Sequence, residues 1–190
     1  MRVLRVFTAA VAAALSSACL VVSLQPVYEP DTIAFDPALL GAWVAGDDDL
    51  RLTFERAEWH SYHLTVEERD SRTRLSARLT SAGDQLYLDV SPLDGADLAP
   101  LALPVHAVYR LGLQGDELSL AELRYERLEP RARAGSAGLP MSVDARGNVV
   151  ITATTAELRR WLVAGAGDDG LFAVPTLLRR PAAQDTPTRR

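Results

Sequence analysis

The sequence predicts a mainly β protein, an antiparallel meander that forms a curved sheet or small barrel, with a C-terminal α-helix. Three observations carry this. From Leu50 to Leu123 apolar and polar residues alternate with a period of two, which puts one row of each strand in a core and the other in solvent. Short turn signals, Gly83 with Asp84 and Gln114 to Asp116, separate the runs, and a meander with this many strands must curl or close to protect its edges. After Thr152 the period turns helical.

In chain order, residues 1–18 read as a signal peptide. Arg2 and Arg5 form a positive start, an uncharged stretch runs from Val6 to Ala18, and small Ser16, Ser17 and Ala18 precede Cys19. Those small residues before the only cysteine resemble the bacterial lipobox, which implies a diacylated Cys19 as the mature N-terminus. Ser16 stands where that pattern prefers Leu, and Leu15 lies one residue further back. Ordinary signal-peptidase cleavage fits the same small residues. An uncleaved anchor is the third reading, because the apolar run continues through Leu20, Val21, Val22 and Leu24. All three put the chain outside the cytoplasm, lipid-anchored in the cell envelope on the first reading. With a single cysteine no intrachain disulfide can form, so the core alone must hold the fold.

Residues 19–35 read as a tether, since Pro26, Pro30 and Pro37 favour extended chain. A single domain spans 36–180. It opens on a helical turn at Asp36 to Leu40, with Asp36 as N-cap and Pro37 at the first helical position. Leu50, Leu52 and Phe54 then alternate with Arg51, Thr53 and Glu55. His60, Tyr62, Leu64 and Val66 repeat the pattern, as do Leu75, Ala77 and Leu79, then Leu86, Leu88 and Val90. Val105, Ala107, Tyr109, Leu111 and Leu113 make a longer strand whose other face shows His106, Val108 and Arg110 to solvent, and Leu118 and Leu120 follow. Leu93 to Pro104 and Pro130 to Pro140 read as loops, Asn148 to Thr152 as a last strand. Thr154 and Glu157 form a capping box for a helix bearing Leu158, Trp161 and Leu162, which Gly165 and Gly167 stop. This helix should pack on the sheet or plug one end of a barrel. Residues 181–190 read as a disordered tail.

Composition excludes several chemistries. All 20 basic residues are Arg, so no amine exists for a Schiff base, a Lys general base or a P-loop contact. The formal charge of −5 becomes two units more negative when Arg2 and Arg5 leave, which opposes binding to nucleic acid. His60, His63 and His106 could in principle bind zinc, but residues three apart on a strand face opposite sides, so no metal site is expected. Asp47, Asp48 and Asp49 lack the spaced oxygens of a calcium loop and read as a solvated turn. There is no Gly-x-Ser-x-Gly elbow; no catalytic residue and no cofactor is assigned. Asp89, His106 and Arg110 form the best polar cluster, read as cross-strand charge pairing on a wet face. Trp43, Phe54, Tyr62 and Tyr109 point inward and would line a cavity for an apolar ligand if the interior is hollow.

The stretch Asp36, Pro37, Ala38, Leu39, Leu40, Gly41, Ala42, Trp43 resembles the opening of an uncharacterised family of small bacterial lipoproteins, as do Leu86 to Asp89, Pro104 to His106 and Thr154 to Leu158. Gly41, Ala42 and Trp43 also resemble the Gly-x-Trp signature of lipocalins, which implies a small lipocalin-like barrel closed by this Trp beneath an Arg from a late strand. No single Arg stands out as that partner, and a Trp that merely packs remains the alternative. The expectation is an envelope protein held to the membrane by its N-terminal lipid. It would either bind an apolar small molecule inside a barrel or, with a solid core, dock another envelope protein.

Overall fold

A computed structural model describes residues 20–46, 49–93 and 104–181. The chain enters through β1 (Val21–Ser23) and β2 (Ile33–Ala34), makes a 3-10 turn at Pro37–Leu39, and then runs through β3 (Gly41–Ala45), β4 (Leu50–Arg56), β5 (Ser61–Glu68), β6 (Ser71–Ala82), β7 (Gln85–Pro92), β8 (Ala107–Gln114) and β9 (Glu117–Glu122). Helix α1 (Tyr125–Arg133), strands β10 (Met141–Val143) and β11 (Val149–Ile151), helix α2 (Thr155–Ala164) and strand β12 (Thr176–Arg179) complete it.

Eight strands close into an antiparallel barrel of lipocalin-like form, in the order β6, β5, β4, β3, β12, β9, β8, β7 and back to β6. The long β6 makes closure possible. Its first part pairs with β5 and its last part with β7, the two overlapping from Leu75 to Arg78. The α-helix is therefore not the last element: β12 follows it and fills the gap between β9 and β3. The five residues between Pro175 and Pro181 are too short a run to show a period.

The alternating rows sort as the period requires. Leu52 and Phe54, Tyr62 and Leu64, Ala77 and Leu79, Leu88 and Val90, and Leu111 all point into one buried cluster inside the barrel. One row differs. His60 is exposed in the turn from Glu58 to Ser61, where Ser61 N donates to Glu58 O at 3.1 Å. Trp59 and His60 both have φ near +55 to +60° there (54° and 58°), the hairpin-turn geometry that side-chain-bearing residues adopt only at a cost.

A second core lies on the outer surface of β7, β8 and β9. Tyr87, Val108, Ala121 and Leu123 are buried there against Leu128 of α1, Leu158 and Leu162 of α2, and Val149 and Ile151 of β11. The face that alternation assigns to solvent on these strands is thus covered. Helix α2 has the expected capping box, with Thr154 Oγ1 accepting from Glu157 N and the Glu157 carboxylate accepting from Thr154 N, and it packs on the outside of the barrel, along β6. Helix α1 occupies the start of the stretch expected as a loop. Pro130 sits inside it, but Leu128 and Ala132, four apart, bury one face and hold the helix despite the missing donor.

The segment expected as a free tether is built into the fold. β1 pairs in parallel with β11, Val21 to Ser23 against Val149 to Ile151, and Ser23 exchanges both backbone hydrogen bonds with His106, at 2.8 and 2.9 Å. Val27 is wholly buried. β2 pairs with β6. Proline marks extended backbone, and an extended chain pairs with an open strand edge as readily as it spans solvent. Cys19, Asp47, Asp48, most of the Leu93 to Pro104 stretch and the tail beyond Pro181 lie outside the described residues.

Candidate functional site

Trp43, Phe54 and Tyr62 meet at one end of the barrel. Asp36 caps the 3-10 turn by accepting from Ala38 N at 2.8 Å, and the turn then lies across this end. Trp43 Nε1 donates to Leu39 O at 2.9 Å. The Tyr62 hydroxyl donates to Asp36 O at 3.1 Å and accepts from Asp36 N at 2.7 Å, and burial raises its phenol above the usual range. Phe54 meets the Tyr62 ring edge-on at 6.0 Å, and Phe35 stacks on its other side at 5.0 Å. The polar atoms of Trp43 and Tyr62 therefore each have a partner, as burial demands.

Arg180, one residue past β12, completes the closure. Its guanidinium carbon lies 3.9 Å from the centre of the Trp43 ring, while Nη1 donates to Leu40 O and Nη2 to Ala38 O, both at 2.6 Å. One side chain from the end of the barrel sequence thus clamps the turn at its beginning. A Trp under an Arg from a late strand is the arrangement that the Gly-x-Trp resemblance implies. Gly41 follows from the same geometry: its φ is +100°, and a Cβ there would lie 2.8 Å from Arg180 Nη1. We expect Arg180→Ala to cost about 2–3 kcal/mol in urea unfolding, from two charge-assisted hydrogen bonds and the ring contact. A loss below about 0.5 kcal/mol, the level of an ordinary surface change, would contradict the clamp.

The centre of the barrel is filled by its own side chains. Trp43, Tyr62, Leu88, Leu118 and Leu178 expose no surface at all, so no water-sized space touches them. Tyr109 joins the same core from β8, only partly buried, with Leu88 and Glu122 as its register partners. Desolvation and the Glu122 charge push its phenol up to about 12, and desolvation followed by the neighbouring Glu126 raises the Glu122 carboxyl. Of the four expected lining residues, Trp43, Phe54 and Tyr62 form the closed end and are buried there, whereas Tyr109 keeps part of its surface accessible. A groove of about 350 Å³ lies outside the barrel, between the end of α1 and the chain entering β10, lined by Arg131, Ala132, Gly135, Leu139 and Met141 among others.

The polar cluster resolves into two separate contacts. Asp89 and His106 do meet, with Asp89 Oδ1 2.7 Å from His106 Nδ1, while Asp89 Oδ2 accepts from Val27 N at 2.8 Å. Asp89 is 1% exposed, so the pair is not on a wet face: the entering chain covers it. Arg110 stands apart and lies over Phe172 at 4.8 Å. A carboxylate that orients an imidazole can support proton transfer. Here each oxygen of Asp89 is spent on holding another segment, and the pair works as a tie between the N-terminal chain and the barrel. Among the described residues no group of three or more His, Cys, Asp or Glu could hold a metal ion.

No family model, curated protein or solved structure matches the chain. The reading of function therefore rests on the geometry and the sequence.

Sequence reasoning missed Arg180 and the second core. For the core a signal existed: Leu86, Tyr87 and Leu88 are consecutive, and Val108 interrupts the polar row of β8. Strands apolar on both faces are strands covered on both faces.

Proposed function

We propose that the protein is exported, processed at Cys19 and held by lipid in a bacterial cell envelope, where it acts as a non-enzymatic interaction or assembly module through its outer surface. The observation that carries the surface reading is the packed centre of the barrel: Trp43, Tyr62, Leu88 and Leu118 expose nothing and leave no room for an apolar ligand among them.

The placement of β1 favours cleavage over an uncleaved anchor. With Val21 to Ser23 committed to a sheet, the uncharged residues left are those from Val6 to Cys19. As a helix these would span about 21 Å, short of the roughly 30 Å hydrocarbon core. Among the described residues no helix is long and apolar enough to cross a membrane.

Native mass spectrometry of protein extracted from envelopes tests both parts. The expected spectrum is a chain beginning at Cys19 with a diacylglycerol increment and nothing else bound. A retained apolar molecule, released only on unfolding, would restore the ligand-carrier reading. A chain starting elsewhere and lacking acyl mass would remove the anchor.

A further inference from the structure

The first described residue, Leu20, is already fixed to the domain. Its amide donates to Asn148 Oδ1 at 3.1 Å and its carbonyl accepts from Val149 N at 2.8 Å. β1 follows at once, then the Ser23 to His106 bridge and the buried Val27. Asn148 is itself held. Asp144 accepts from Asn148 N at 2.8 Å, from Asn148 Nδ2 at 2.9 Å and from Arg146 N at 2.8 Å, and these bonds, first among them the two from Asn148, keep its carboxyl below the usual range. Tyr125 Oη donates to Gly147 O at 2.8 Å and pins the same turn to α1.

From this we infer that the turn from Asp144 to Asn148, with Leu20 beside it, is the membrane-facing surface of the protein, held flush against the bilayer with no intervening linker. The inference rests on the reading of Cys19 as the lipidated residue. Consecutive Cα atoms lie 3.8 Å apart, so a lipid on Cys19 leaves one residue of slack before the rigid turn. Lipid-anchored domains on long tethers sample all orientations; this one is allowed few. The chemistry of the patch fits a lipid surface. Leu20 is 40% exposed, and Arg146 is exposed beside it and can meet lipid phosphates.

The test uses the acylated full mature chain in vesicles of phosphatidylcholine and phosphatidylglycerol, some carrying a nitroxide on the headgroup. A fluorophore is placed through Ala145→Cys, an exposed position in the turn. The expected result is strong quenching of that fluorophore by the nitroxide lipid. Inserting a Gly/Ser linker of about ten residues between Cys19 and Leu20, with a reach on the order of 17 Å, should abolish it. Asn148→Ala, which frees the first residues of the chain, should weaken it while the domain stays folded by circular dichroism. Absent quenching, or quenching unchanged by the linker, overturns the inference. Intact mass separates that failure from one of the anchor itself: a labelled chain with its acyl mass but no quenching refutes only the orientation, whereas a membrane form without acyl mass refutes the lipid reading.

Discussion

Trp43→Ala should lose about 3–5 kcal/mol of folding stability, the cost of deleting a fully buried large aromatic. Trp43 exposes nothing, donates to Leu39 O and carries the Arg180 guanidinium on its face. Removing the ring therefore opens a cavity at the centre of the closed end and strands Arg180 above it. Domains of this size have total stabilities of about 5–15 kcal/mol, so the variant sits near the margin of folding. Trp43→Phe is the informative companion: it keeps most of the packing and gives up the indole donor, and should lose about half as much or less. Urea unfolding followed by far-ultraviolet circular dichroism measures both. An Ala variant within about 1 kcal/mol of the parent would mean that the ring is not the keystone of the barrel end.

Asp89→Ala should be comparably damaging, at about 3–5 kcal/mol, because it removes a buried side chain and leaves two partners unpaired, each at about 1–3 kcal/mol. Those partners are named by the geometry: Val27 N and His106 Nδ1, held at 2.8 and 2.7 Å. The effect should also be local in a way that simple loss of packing would not be. Val27 belongs to the entering chain, whose ties beside it are Thr155 Oγ1 to Pro26 O and Arg159 Nη1 to Val27 O, both at 2.8 Å. Hydrogen exchange of the Val27 amide, which has Asp89 as its acceptor, should speed up far more than exchange in β4 or β5. A uniform increase across the barrel would show that Asp89 supports the whole fold and ties no segment in particular. The double variant with His106→Ala should cost less than the sum of the two single losses, since the two side chains share one contact.

These two sites mark where sequence reading works and where it stops. The inward row was legible because period two has one physical meaning on a half-buried strand, and Trp43, Phe54 and Tyr62 fall where it puts them. The N-cap at Asp36 and the capping box at Thr154 were legible because both are local, decided within four residues. Asp89 and His106 were legible as a pair, but their burial was not. Burial depends on what lies above β7 and β8, and that cover is supplied by Val27, far off in sequence and preceded by a proline that fits free and docked chain equally. Arg180 was invisible for the same reason: among many arginines only the closed ring of strands singles out the one that reaches Trp43.

The packed centre, on which the surface reading depends, also explains why Trp43 and Tyr62 border no cavity. A close-packed region has no gap for a gas atom, whereas an engineered apolar void binds xenon. Leu118, which exposes nothing and lies opposite Leu113 in the barrel wall, offers the matched control through Leu118→Ala. Crystals of the parent and of Leu118→Ala equilibrated with xenon should show gas inside the barrel of the variant alone. Xenon among Trp43, Tyr62, Leu88 and Leu118 of the parent would contradict the filled barrel and return the apolar ligand to its centre.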